Sequence, residues 1–148
     1  MKSQFKPLKW VGVGSVIVGL SGAFAFDWNN HPFESVYFNR FVGGTRGAFR
    51  KFEMDYWGNC IRKSLDWVAT VEPARKKTVA LSFGHLGAHY QPLFPELKFV
   101  DSQTPHEFFV KVLRAYSHET LNEIIETPSI VHTVTTRDGT PLCIVSRE

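Results

Sequence analysis

The sequence is poor in the patterns that announce chemistry. Its only cysteines, Cys60 and Cys143, lack CxxC spacing, so they form no cysteine metal motif. The phosphate-loop patterns GxGxxG and GxxxxGK[ST] are missing, and no strand leads into the one glycine-rich stretch, Gly43-Gly44-Thr45-Arg46-Gly47. The GxSxG nucleophile elbow is missing too, and Ser64 and Ser82 have no His and Asp at a recognised spacing. No internal repeat or low-complexity segment occurs, and 43% apolar with 21% charged residues excludes wholesale disorder. Surplus charge is small and local. Of 17 basic and 14 acidic residues, Lys2, Lys6, Lys9 and Asp27 lie before residue 31, leaving 14 against 13 in the remainder. No basic stripe is left to track a phosphate backbone, so nucleic acid is not an expected partner.

The clearest positive feature is the uncharged run Trp10–Phe26, WVGVGSVIVGLSGAFAF, behind the three lysines. A spanning helix needs roughly 17–25 apolar residues and a signal-peptide core about 7–15, so the run sits on the border. Ala23-Phe24-Ala25 is a small-x-small cleavage pattern. Against cleavage, the run continues through Phe26, and Trp28 supplies an interfacial aromatic. In either case the lysines should stay cytoplasmic. The expected organisation is therefore a basic flank at 1–9, a transmembrane helix or signal peptide at 10–28, and an extracytoplasmic α/β domain at 29–148. The expected location is the inner membrane, single-pass, with the domain on the outer side. In an oxidising compartment Cys60 and Cys143 could pair; each also sits in an apolar pattern that suits a buried thiol.

Downstream, Asn29 and Asn30 can break or cap a helix, and Pro32 suits the first turn of the next. Phe33, Val36, Tyr37, Arg40 and Phe41 fall at helical spacing, predicting a short amphipathic helix that Gly43-Gly44 ends. A second helix is predicted from about Tyr56 to Thr70, with Ile61, Leu65 and Val68 on its apolar face and Trp57 and Trp67 beside them. Asp55 is expected to cap it and Trp57 to pack in the core. Thereafter the pattern changes to strands: Thr78–Phe83, Leu97–Val100, Phe108–Arg114, then Ile130–Thr136 and Leu142–Arg147 as a hairpin around Asp138-Gly139. The fold class expected is α/β, helices first, then a mixed sheet ending in a β-hairpin.

Two constellations invite a functional reading. His85 and His89 have the spacing of a helical metal pair, which His106 or His118 would have to complete. No Glu follows His85, and Gly87 weakens the helix, so these read as loop histidines and no metal or cofactor is expected. Arg40, Arg46 and Arg50 lie near Glu53, Asp55 and Asp66 among aromatics. Such a set at a membrane surface can hold a phosphate or a sugar, and it can equally be a network of solvated ion pairs.

His31-Pro32, Tyr37-Phe38-Asn39, Gly43-Gly44 and Asp55-Tyr56-Trp57-Gly58, with the closing RDGTPLCIVSRE, resemble the C-terminal end of bacterial polytopic membrane proteins. Those proteins are similar to glycosyltransferases of the GT-C class, which take sugars from polyprenyl-phosphate carriers. The resemblance spans about residues 10–148 and favours a retained helix. It implies the junction between a last membrane helix and a small outer domain. It further implies that Tyr37, Asn39, Arg40 and Arg46 touch a donor phosphate or sugar once a polytopic glycosyltransferase partner supplies the rest. His31, Pro32, Gly43, Gly44, Asp55, Tyr56, Trp57 and Gly58 would be structural. The class keeps its catalytic acid in a first outer loop that has no counterpart here, so the chain alone is expected not to be catalytic. The alternative is a single-span anchored or secreted binding module with no transferase role.

Overall fold

The computed structural model describes residues 6–114 and 129–148, and His118 lies outside them. The first element, α1, spans Lys6–Asn30. It runs unbroken through Asn29 and Asn30, whose side-chain amides donate back to the carbonyls of Ala25 (2.6 Å) and Phe26 (3.0 Å). The pair expected to break or cap a helix stands at the end of this one, and both side chains finish its last turn. The stretch Trp10–Asn30 is long and apolar enough to cross a membrane, and none of it is buried in the protein.

The amphipathic helix expected over 32–41 does not form. The chain makes two short 3-10 turns instead, Glu34–Val36 and Arg40–Val42. The reason is local. Asn39 takes an extended backbone and its side-chain oxygen accepts from the amides of Phe41 (3.0 Å) and Val42 (3.3 Å), which restarts the helical turn there. The apolar residues still serve the core, because Phe33 and Val36 are buried. Gly43 closes the second turn in the left-handed region (φ 86°) and leads into α2, Gly44–Ala48. Within α2 a Cβ on Gly47 would stand 1.9 Å from the Val42 carbonyl oxygen, so the tight reversal needs glycine there.

Helix α3 spans Asn59–Thr70, starting three residues later than Tyr56. Its buried stripe of Cys60, Ile61, Ser64, Leu65 and Val68 lies against the sheet. At its far end the buried Lys77 donates from Nζ to the carbonyls of Val68 (2.9 Å) and Ala69 (3.2 Å). A cation on the terminal carbonyls suits the negative end of the helix dipole, which is how a lysine is tolerated in this core.

The sheet is mixed and five-stranded, ordered β2-β1-β3-β5-β4. Its strands are β1 (Lys77–Leu81), β2 (Leu97–Val100), β3 (Phe108–Val112), β4 (Ile130–Thr135) and β5 (Pro141–Arg147). β1 runs parallel to β2 (Val79 opposite Phe99) and to β3 (Leu81 opposite Val110). β5 is antiparallel to β3 (Val112 opposite Cys143) and to β4 (Val134 opposite Cys143). Between β1 and β2 sits α4, Leu86–Tyr90. The predicted α/β class, helices before a mixed sheet that ends in a hairpin, is the observed one. Cys60 and Cys143 form a disulfide, with Cα atoms 5.7 Å apart, joining the first turn of α3 to β5.

One expectation of packing is overturned. Trp57 is 75% exposed and lies outside the core, while Asp55 beside it is fully buried. Gly58 adopts a left-handed backbone (φ 69°) that turns the chain into α3, so residues 56–57 loop outward instead of continuing the helix face.

Candidate functional site

The edge of the sheet where β1 and β3 end and β5 begins is the edge nearest the C-terminal end of α1. The hairpin loop Thr136–Thr140 makes this junction. Thr136 N donates to Thr140 O (2.9 Å), and Gly139 takes a positive φ of 84° between them, so the loop is a three-residue reversal with its tip at Arg137 and Asp138. The Arg137 amide donates to Asn30 Oδ1 (3.2 Å), and its guanidinium donates to Asn29 Oδ1. From the other side Arg46 grips the tip, donating from Nε (2.8 Å) and Nη2 (2.5 Å) to the Asp138 carbonyl. Asn59 Nδ2 also donates to Ser35 Oγ (2.8 Å), tying the start of α3 to the turn that follows α1.

The Asp138 carboxylate anchors this junction. It accepts from the hydroxyls of Thr45 and Thr136, and from the amide (3.1 Å) and hydroxyl (2.8 Å) of Thr140. Partial burial pushes its pKa up, but these hydrogen bonds together outweigh burial and hold it down to about 2 from an ordinary 3.8. A carboxyl depressed on folding stabilises the fold above its unfolded pKa, and that contribution is lost as pH falls toward the folded value. The docked tip should therefore loosen between about pH 4 and pH 2. The protection of amides 44–48 and 136–140, taken relative to their intrinsic exchange rate at each pH, should fall across that range as acid is added, and in Asp138→Asn it should already be low at pH 5.

Between α1 and the docked segments lies a cleft of about 940 Å³. One wall is the C-terminal half of α1, including Val18, Gly19, Gly22, Ala25 and Phe26; the other is Tyr37, Phe38, Arg40, Phe41 and the hairpin tip. At about 1.5 Å per residue, Val18 to Asn30 runs about 18 Å along the helix. Polarity is graded along that length. Asn29, Asn30, Arg137 and Asp138 come together at the mouth near the helix end, Arg40 lies on the facing wall, and the helix wall below is apolar apart from Ser21, whose hydroxyl donates to the Val18 carbonyl (2.8 Å). The Tyr37 ring meets Phe26 edge-on at 5.1 Å between centroids. Arg40 is exposed, and among the described residues its guanidinium has no hydrogen-bond or ion-pair partner.

The four sequence-derived binding residues divide by role in this geometry. Tyr37 and Arg40 line the cleft. The Asn39 side-chain oxygen is engaged by the turn that it caps, and the Arg46 guanidinium by the Asp138 carbonyl, so both hold the wall in shape. Asn29, Asn30, Arg137 and Asp138 were not singled out in the sequence as site residues. They join the cleft only because the hairpin tip folds back over some 107 residues onto α1. Of the presumed structural motif, Asp55 accepts from the amides of Asn59 (3.0 Å) and Cys60 (2.7 Å), which places its carboxylate under the start of α3 and away from the cleft. His85 immediately precedes α4 and His89 lies within it. Among the described residues no group of three or more His, Cys, Asp or Glu is arranged to hold a metal ion. Gly87 has a packing role, since a Cβ there would stand 3.0 Å from Phe99 Cβ on β2. No protein-family model, curated protein or solved structure matches the chain.

Proposed function

We propose that the chain is a membrane-anchored outer domain that holds the phosphate-bearing head of a lipid, a polyprenyl-phosphate sugar in the first instance, in the cleft beside α1. The observation that carries this reading is Arg40, whose guanidinium has no partner among the described residues and lines a cleft with an apolar, span-length helix as its opposite wall. A lipid needs just that gradient, with a fork of donors for phosphate oxygens at the mouth and apolar surface below for its chain. Tyr37 adds an aromatic face and a hydroxyl at the level of the first sugar.

In this reading α1 is retained as a single span of the inner membrane, the lysine flank stays cytoplasmic and residues 29–148 lie outside. Two further observations support it. Removal of the chain before Phe26 would delete most of the helix wall of the cleft. The Cys60–Cys143 bond belongs to an oxidising compartment, as the outer side of a bacterial inner membrane is. No residue is assigned a catalytic role. The domain serves a polytopic GT-C-like glycosyltransferase by presenting the lipid-linked donor, and that partner supplies the acid or base.

The test is equilibrium binding of polyprenyl phosphate to the full chain in phosphatidylcholine nanodiscs. A charge-assisted hydrogen bond contributes about 1.5–3 kcal/mol, so Arg40→Ala should weaken binding by about 10- to 100-fold, with Arg40→Lys falling between. Lys98→Ala, on β2, should bind as the parent does. Equal binding by parent and Arg40→Ala would overturn the reading.

A further inference from the structure

The exposed Tyr56–Trp57 loop lies on the same sheet edge as the α1 junction. β3 runs antiparallel to β5, with Val112 opposite Cys143 and the Leu113 amide donating to Leu142 O (2.8 Å), so the carboxyl end of β3 sits beside the hairpin tip that holds α1. The parallel partner β1 ends at that edge as well. Arg114, just past β3, reaches back to this loop. Its Nη2 donates to the Tyr56 carbonyl (2.9 Å), and its guanidinium lies over the rings of Tyr56 (4.9 Å) and Phe83 (4.5 Å). The loop backbone is thus anchored by Arg114 while its side chains stand out, Tyr56 54% and Trp57 75% exposed, with their rings edge to face at 5.2 Å. Phe41, which lines the cleft, is 99% exposed.

We propose that this edge is a second bilayer contact, with Tyr56 and Trp57 seated among the lipid headgroups and Phe41 in the upper acyl region. It rests on the reading of α1 as a retained span and adds an orientation to it. A span alone leaves an outer domain free to swing on its tether. Here the hairpin tip and the Asn59–Ser35 contact fix the domain to the end of α1, and the edge so turned toward the membrane carries aromatics that water does not favour. Trp and Tyr concentrate at membrane–water interfaces because an apolar ring and a polar N–H or O–H are satisfied together there. Arg114, stacked against the loop, sits at the height of lipid phosphates. The two contacts would hold the cleft mouth level with the headgroups, where a lipid-borne phosphate travels.

Site-resolved tryptophan quenching tests this. The full chain carries Trp10, Trp28, Trp57 and Trp67. One variant keeps only Trp57 and another only Trp28, the rest changed to Phe, each reconstituted in phosphatidylcholine brominated on its acyl chains. The expected result is quenching of both, with Trp57 emission blue-shifted and shielded from aqueous acrylamide. Quenching of Trp28 without Trp57 would overturn the edge contact and leave the span reading standing; a water-exposed Trp57 would then point to a soluble ligand such as a glycan. Failure of both to quench would overturn both readings. Trp67 stacks on His132 with ring centroids 4.5 Å apart, so its replacement could impair folding. In that event the difference in quenching between the parent and Trp57→Phe, with Trp67 intact, gives the same readout.

Discussion

Replacing Cys60 and Cys143 together by alanine should lower the melting temperature of the α/β domain more than any other conservative change. The bond joins positions 83 residues apart and closes one long loop, from the first turn of α3 to the last strand. Both cysteines are fully buried, so the bond also fills the space where α3 meets β3, β4 and β5. Loss of a native disulfide in a small domain typically costs about 2–5 kcal/mol. At the usual entropy of unfolding for a domain this size, that is a drop of roughly 10 °C or more. The parent should show the same drop when a reductant is added, and the double variant should not respond to it. Indifference of the parent to reduction would mean that the native fold does not depend on the bond.

The second large effect separates neighbours. Asp55→Ala should destabilise by about 1–3 kcal/mol, because it leaves the α3 amides that the carboxylate serves unpaired. The carboxylate has no water to turn to and accepts from Asn59 N, Cys60 N and Asn59 Nδ2. As an anion at the positive end of α3 it also complements the helix dipole. Trp57→Ala, two residues on, should change stability by no more than about 0.5 kcal/mol, as surface changes do. Denaturant unfolding of the two variants decides the point. A greater loss from Trp57→Ala would show that its ring packs in the core.

That pair also shows where sequence reasoning reached and where it stopped. The strands were legible because their β-branched runs are short and bounded, and β2 falls on Leu97–Val100 as expected. The Asp138-Gly139 reversal was legible from turn chemistry, since a positive φ there is local. Asp55 was legible as a carboxylate that serves the helix amides, though Gly58 stands at the N-cap position and Asp55 reaches Asn59 N and Cys60 N across the loop. Trp57 was misread because spacing alone placed it on the face of α3, and the left-handed Gly58 that swings it away sets a direction that periodicity does not encode. The amphipathic helix over 32–41 was misread because the Asn39 side chain competes with the helical backbone. The cysteine pairing stayed open until the sheet order placed β5 beneath α3. The cleft was the least legible feature, because its polar mouth joins Asn29 and Asn30 to Arg137 and Asp138 through tertiary contacts alone.

The most direct measurement is photocrosslinking of the full chain in nanodiscs with a polyprenyl phosphate carrying a diazirine near its phosphate. Adducts should map to Tyr37–Phe41 and to the Phe26–Asn30 end of α1, and should vanish with unlabelled polyprenyl phosphate and in Arg40→Ala. Adducts spread evenly along α1, insensitive to competitor and to Arg40, would contradict the reading, because the chain would then merely share a bilayer with the lipid.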